Sequence, residues 1–61
     1  MKFEVFSKNN KKWLRMIYRD GYIQEAMIYG VNTENPYVKV GSYFGKCYLK
    51  PETIEQLRKI F

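Results

Sequence analysis

The sequence predicts an α+β fold: a curved antiparallel sheet of about four strands followed by one C-terminal helix, in a chain expected to dimerise. Three observations predict it. Short runs rich in Tyr, Ile, Val and Phe alternate with turn-forming residues, as strands and their connections do. Asp20-Gly21 lies between two such runs and is a strong hairpin signal. From Pro51 onward the apolar residues recur at helical spacing instead. With 61 residues the chain is one domain, residues 1–61. A chain of this size buries only about 60% of its unfolded surface, and oligomerisation is a common remedy.

The elements follow in order. Phe3 to Phe6 is the first strand. Ser7 to Asn10 is a turn, because Asn accepts left-handed geometry and bonds its own backbone. Lys12 to Arg19 and Tyr22 to Tyr29 are the second and third strands, joined at Asp20-Gly21. Asn32 to Pro36 is a loop, since Asn35 before a proline is pushed out of helical geometry. Tyr37 to Val40 and Phe44 to Leu49 complete the sheet, as one bent strand or two, with turns or bulges at Gly41-Ser42 and Gly45. Pro51 suits the first helical position, and Glu52, Arg58 and Lys59 each complement the helix dipole. Ile54, Leu57 and Phe61 give the helix an apolar face, while Lys50 is a poor N-cap by type.

Alternate strand residues point to opposite faces. In the second strand Leu14, Met16 and Tyr18 form the core side, because Arg is rarely buried without a partner. Trp13, Arg15, Ile17 and Arg19 face outward. In the last strand Cys47 and Leu49 point inward, with Cys47 a small buried residue, and Phe44, Lys46 and Tyr48 point outward. Lys39 and Tyr37 lie opposite Val38 and Val40. The outward sets interleave rings with cations, which is how single strands are held, with bases on rings and phosphates on Lys or Arg. Lys8, Lys11, Lys12, Arg15 and Arg19 form a stretch free of acids, whereas Asp20 to Tyr37 holds three acids and no base. This implies a basic side and a less basic one. The alternative places Trp13 and Phe44 in a core or a dimer interface.

The net charge is +5, which favours polyanionic partners. Catalysis finds no support. There is no histidine to activate Cys47 as a nucleophile, the carboxylates are scattered, and no phosphate-binding glycine loop occurs. No catalytic residue, metal site or cofactor is expected, although weak nicking by an assembly that shares residues is compatible with the chain. No apolar run approaches the ~20 residues a bilayer crossing needs. A soluble, cytoplasmic protein of a bacterial cell or phage-infected host is expected.

The order of these features resembles the positive cofactor four family of transcriptional coactivators. Gly45-Lys46-Cys47-Tyr48-Leu49-Lys50-Pro51-Glu52, then Glu55-Gln56-Leu57, is similar to the end of that family's sheet and the start of its helix. Lys12-Trp13-Leu14-Arg15-Met16-Ile17 resembles its basic alternating strand, and Phe3-Glu4-Val5 its opening strand. The resemblance implies a curved four-stranded sheet and helix that dimerise, partly through the helix, and bind single-stranded or melted DNA. Trp13, Arg15, Lys39 and Lys46 would face DNA. Leu57 and Phe61 would sit at the core or the dimer seam. Two stretches depart from the pattern: Val40-Gly41-Ser42-Tyr43-Phe44 is less basic, and Ile28-Tyr29-Gly30 stands where the family often carries Arg and Trp. The compact length looks like a bacterial or phage version.

The expectation is therefore a homo-oligomeric single-stranded DNA binder. Lys11, Lys12, Trp13, Arg15, Arg19, Lys39, Phe44, Lys46 and Tyr48 would form its nucleic-acid face, and Ile54, Leu57 and Phe61 its oligomer interface. The alternative is a phage-type counter-defence (anti-CRISPR) protein acting through DNA topology or a protein partner. A Src-homology-3-like or OB-type barrel is also compatible with the strand count.

Overall fold

A computed structural model describes residues 1–39 and 45–60. Five strands precede one helix: β1 (Lys2–Lys8), β2 (Lys11–Ile17), β3 (Ile23–Met27), β4 (Tyr37–Lys39), β5 (Lys46–Tyr48) and α1 (Pro51–Lys59). The class is α+β as predicted, but the strands form two antiparallel sheets, β1-β2-β3 and β4-β5. Tyr37–Lys39 and Lys46–Tyr48 are two paired strands and not one bent strand.

Local chemistry sets both turns of the larger sheet. Asn9 and Asn10 carry φ of 53° and 62°, the left-handed pair that a two-residue connection between β1 and β2 requires. Between β2 and β3, Gly21 takes φ 90°, its amide donates to the Tyr18 carbonyl at 3.0 Å, and the Tyr18 amide donates to the Tyr22 carbonyl at 2.8 Å. The Asp20 carboxylate accepts from the Tyr22 amide at 3.0 Å, closing the turn with its own side chain.

The two sheets meet at a single residue pair. Tyr29 and Tyr37 exchange both backbone hydrogen bonds, at 2.8 and 3.0 Å, and no longer ladder joins β3 to β4 among the described residues. Register then fixes which way side chains point. Leu14 and Met16 of β2, Ile28 after β3, Val38 of β4 and Leu57 of α1 form one buried cluster. Burying each such side chain contributes roughly 1.5–3 kcal/mol. Trp13, Arg15, Tyr29, Tyr37 and Lys39 alternate with these residues and so face away from the core.

The helix begins at Pro51 without a side-chain cap at Lys50, whose carbonyl accepts from the amides of Thr53 (2.9 Å) and Ile54 (3.0 Å). It packs against β1, the free edge of the larger sheet. The side-chain amide of Gln56 meets that edge twice, accepting from the Val5 amide at 3.1 Å and donating to the Phe3 carbonyl at 3.3 Å. The strand spacing permits this, because Phe3 and Val5 are among the β1 residues whose backbone groups point away from β2. No helix of the described residues is long and apolar enough to cross a membrane.

Candidate nucleic-acid interface

The residues expected on one nucleic-acid face fall on two separate patches. The first lies on the outward side of β1, β2 and β3. Its centre is Arg15, across from Glu4 on one side and Glu25 on the other. The guanidinium bonds Glu25 at 3.0 Å, approaches Glu4 at 3.8 Å and stacks over Phe6 at 4.4 Å. The expected basic side is therefore not basic here. Segregation of charge along the chain is undone by register, which sets acids of β1 and β3 around the cation of β2. Trp13 is similarly occupied: its indole N–H donates to the Lys8 carbonyl at 3.2 Å, and the Lys8 ammonium lies 5.2 Å from its ring centre.

Other cations of the predicted set are dispersed. Lys11 is exposed at the β1–β2 turn, and Arg19 is exposed at the β2–β3 turn. Lys12 shares the parity of Leu14, so it does not lie on the outward face; its ammonium donates to the Ser7 hydroxyl at 2.9 Å. Phe44 lies outside the described residues.

The second patch is the outward side of β4 and β5. Tyr29, Tyr37 and Tyr48 form a row, with ring centres 5.5 Å apart for the first stacked pair and 5.9 Å apart for the second, edge-on pair. Two lysines sit against the row. Lys39 lies 5.3 Å from the Tyr29 ring centre and Lys46 lies 4.8 Å from that of Tyr37. Both lysines are exposed, and Tyr48 is 59% exposed. The strands place them by register: Tyr37 is across from Tyr48, and Lys39 from Lys46. Like charges face each other here with no carboxylate between, because the sequence from Tyr37 to Lys50 contains none. This patch unites Lys39, Lys46 and Tyr48 of the predicted set and adds Tyr37. It also recruits Tyr29, which sequence reading did not select. The signal was present in its alternation with the buried Ile28.

Two further expectations are corrected. Cys47 points inward by parity but is exposed, because β5 is the last strand of its sheet and nothing among the described residues covers its far side. Leu57, expected at the core or at an oligomer interface, is 1% exposed within the single chain, which assigns it to the core and not to the interface. Ile54 is half-buried and lines a groove with Val31 and Pro36, and Phe61 lies outside the described residues. Among the described residues no cluster of His, Cys, Asp or Glu could hold a metal ion.

The fold and site define a small α+β protein with a tyrosine–lysine strip on an open sheet face. Comparison with protein-family models, with curated proteins and with solved structures returned no match.

Proposed function

We propose that the chain binds single-stranded or locally melted nucleic acid, in the manner of the positive cofactor four proteins it resembles, through the tyrosine–lysine strip. The carrying observation is the placement of Lys39 and Lys46 against the Tyr29–Tyr37–Tyr48 row. Neighbouring tyrosine rings are too close to admit a base between them, so a base stacks at the exposed Tyr48 end of the row. The ammonium groups are then beside the backbone phosphates. Each stacked base is worth about 1–3 kcal/mol by alanine substitution, and every base has a face to offer, so sequence preference is weak.

Anisotropy of a labelled oligothymidine against a matched duplex, titrated across salt, tests the proposal. Tight single-strand binding that weakens with salt is expected. Replacing Lys39 and Lys46 together by Ala lowers the slope of log K against log salt by about 1.4, at about 0.7 per phosphate contact on a single strand. A flat titration at low salt removes nucleic-acid binding from consideration.

The counter-defence reading has one observation of its own. On the β1–β3 face Arg15 is already paired with Glu4 and Glu25, and Phe6, Trp13 and Met27 lie together, which suits a protein partner better than a phosphate backbone. A co-purifying partner lost with Trp13→Ala, together with salt-insensitive anisotropy, would select it.

A further inference from the structure

The two sheets and the helix do not close around the core. β1 and β5 are edge strands of their sheets among the described residues, and an apolar slot of about 270 Å³ lies between them. Phe3, Met16 and Tyr18 line one wall, and Cys47, Leu49 and Val38 the other. The two edges differ. Part of the β1 edge is already met by Gln56. β5 has no such cover among the described residues.

Hydrogen-bond phase shows what β5 offers. The Leu49 amide donates to the Pro36 carbonyl at 3.0 Å, so the Pro36–Leu49 pair, and by alternation Val38–Cys47, face each other through hydrogen bonds. Lys46 and Tyr48 are then the intervening pairs, and their N–H and C=O groups point outward along the free edge. An extended segment added there would bond to Lys46 and Tyr48, and its residue beside Cys47 would point into the slot. This is the geometry of strand addition, in which main-chain bonds give affinity and a pocket for alternate side chains gives specificity.

Charge selects the occupant. Lys50 lines the slot, Lys46 projects from the opposite face of β5 over the Tyr37 ring, and no acid occurs from Tyr37 to Lys50. A second copy of this chain would bring the same lysines to the same edge, and its Cys47 would leave much of the slot empty. We propose that the β5 edge and its slot bind an extended peptide segment of another protein, with one apolar side chain for the slot and acidic residues on either side. This site uses the edge and the inward side of β5, and it shares Lys46 with the tyrosine–lysine strip.

The test uses the whole chain and a fluorescein-labelled peptide, Ser-Thr-Glu-Leu-Glu-Thr-Ser, whose glutamates alternate with the leucine and so lie on the side of Lys46. Saturable binding is expected, with slowed hydrogen exchange at the Lys46 and Tyr48 amides. Replacing the peptide leucine by serine, or making Lys46→Glu, should each weaken binding by about tenfold. Cys47→Phe fills the slot and should abolish the leucine preference. If that variant does not fold, the exchange measurement on the unaltered chain still decides. Protection of the same two amides by self-association without peptide, or by oligothymidine in place of peptide, would overturn the proposal. So would binding that leaves both amides unprotected.

Discussion

Gln56 and Val5 stand 51 positions apart in the chain and are joined by a hydrogen bond of 3.1 Å, the helix side chain accepting from the strand amide. With its second bond to the Phe3 carbonyl, Gln56 acts as a one-residue substitute for a neighbouring strand. An edge strand presents unpaired backbone groups that invite association with other chains, and covering it with a helix is one remedy. The amide suits the task because it offers one acceptor and one donor at the spacing of the strand's own groups.

Gln56→Ala should therefore destabilise the domain by about 1–2 kcal/mol, the effect of leaving half-buried backbone groups unmet. Urea unfolding followed by circular dichroism measures this directly. An unchanged midpoint would mean that water replaces the side chain without loss.

The turn at Asn9-Asn10 gives a second outcome. Asn10 holds φ at 62°. Asn10→Val should cost about 1–2 kcal/mol, since a β-branched residue resists left-handed geometry. Asn10→Gly should stay within about 1 kcal/mol of the parent. Thermal melts of the two variants should separate clearly, and equal melts would deny the turn its geometry.

Leu57→Ala tests whether the helix belongs to the core of its own chain. At 1% exposure the truncation should cost about 2–5 kcal/mol, a large share of the stability of a domain this size. Loss of the folded signal at every protein concentration fits a role within the chain. A concentration-dependent loss would return Leu57 to a subunit interface.

Tyr48→Ala and Arg15→Ala separate the two surface patches. Tyr48 is mostly exposed and stands at the end of the ring row, so its loss should reduce single-strand affinity by about 1–3 kcal/mol with little change in melting temperature. Arg15 already faces two carboxylates, so its loss should change affinity much less. Anisotropy of both variants at one salt concentration decides, and the reverse order would move the interface to the β1–β3 face.

Local signals in the sequence located much of this fold. Asn9-Asn10 and Asp20-Gly21 dictate their turns through residues adjacent in the chain, and Pro51, Glu52 and the spacing to Leu57 dictate the helix. Pairing across longer gaps was not legible in the same way. Nothing local states that Tyr37–Lys39 and Lys46–Tyr48 run side by side, or that Tyr29 meets Tyr37 across a loop. Alternation gave the direction of Cys47 correctly but could not say whether anything lies above it. Arg15 shows the same limit in charge: Glu4 and Glu25 lie 11 and 10 positions away, and only register makes them its neighbours. The site was accordingly half legible, its lysines and Tyr48 from strand chemistry, the outward direction of Tyr29 from alternation with Ile28, and the stacking of Tyr29 on Tyr37 only from pairing.

The single bridge at Tyr29–Tyr37 divides the molecule into parts of unequal tenacity. Every residue of β2 has a partner in β1, and most have one in β3, so releasing that strand means dismantling a whole sheet. Releasing β4 and β5 from the larger sheet breaks two backbone bonds and withdraws Val38 from the shared core. Opening free energies within one protein range from near zero up to that of global unfolding, and it is the burial of Val38, more than the two bonds, that sets where the short strands fall in that range. The ring row thus spans the joint, with Tyr29 on the side of the larger sheet and Tyr37 and Tyr48 on strands tied to it by one bridge and one buried valine.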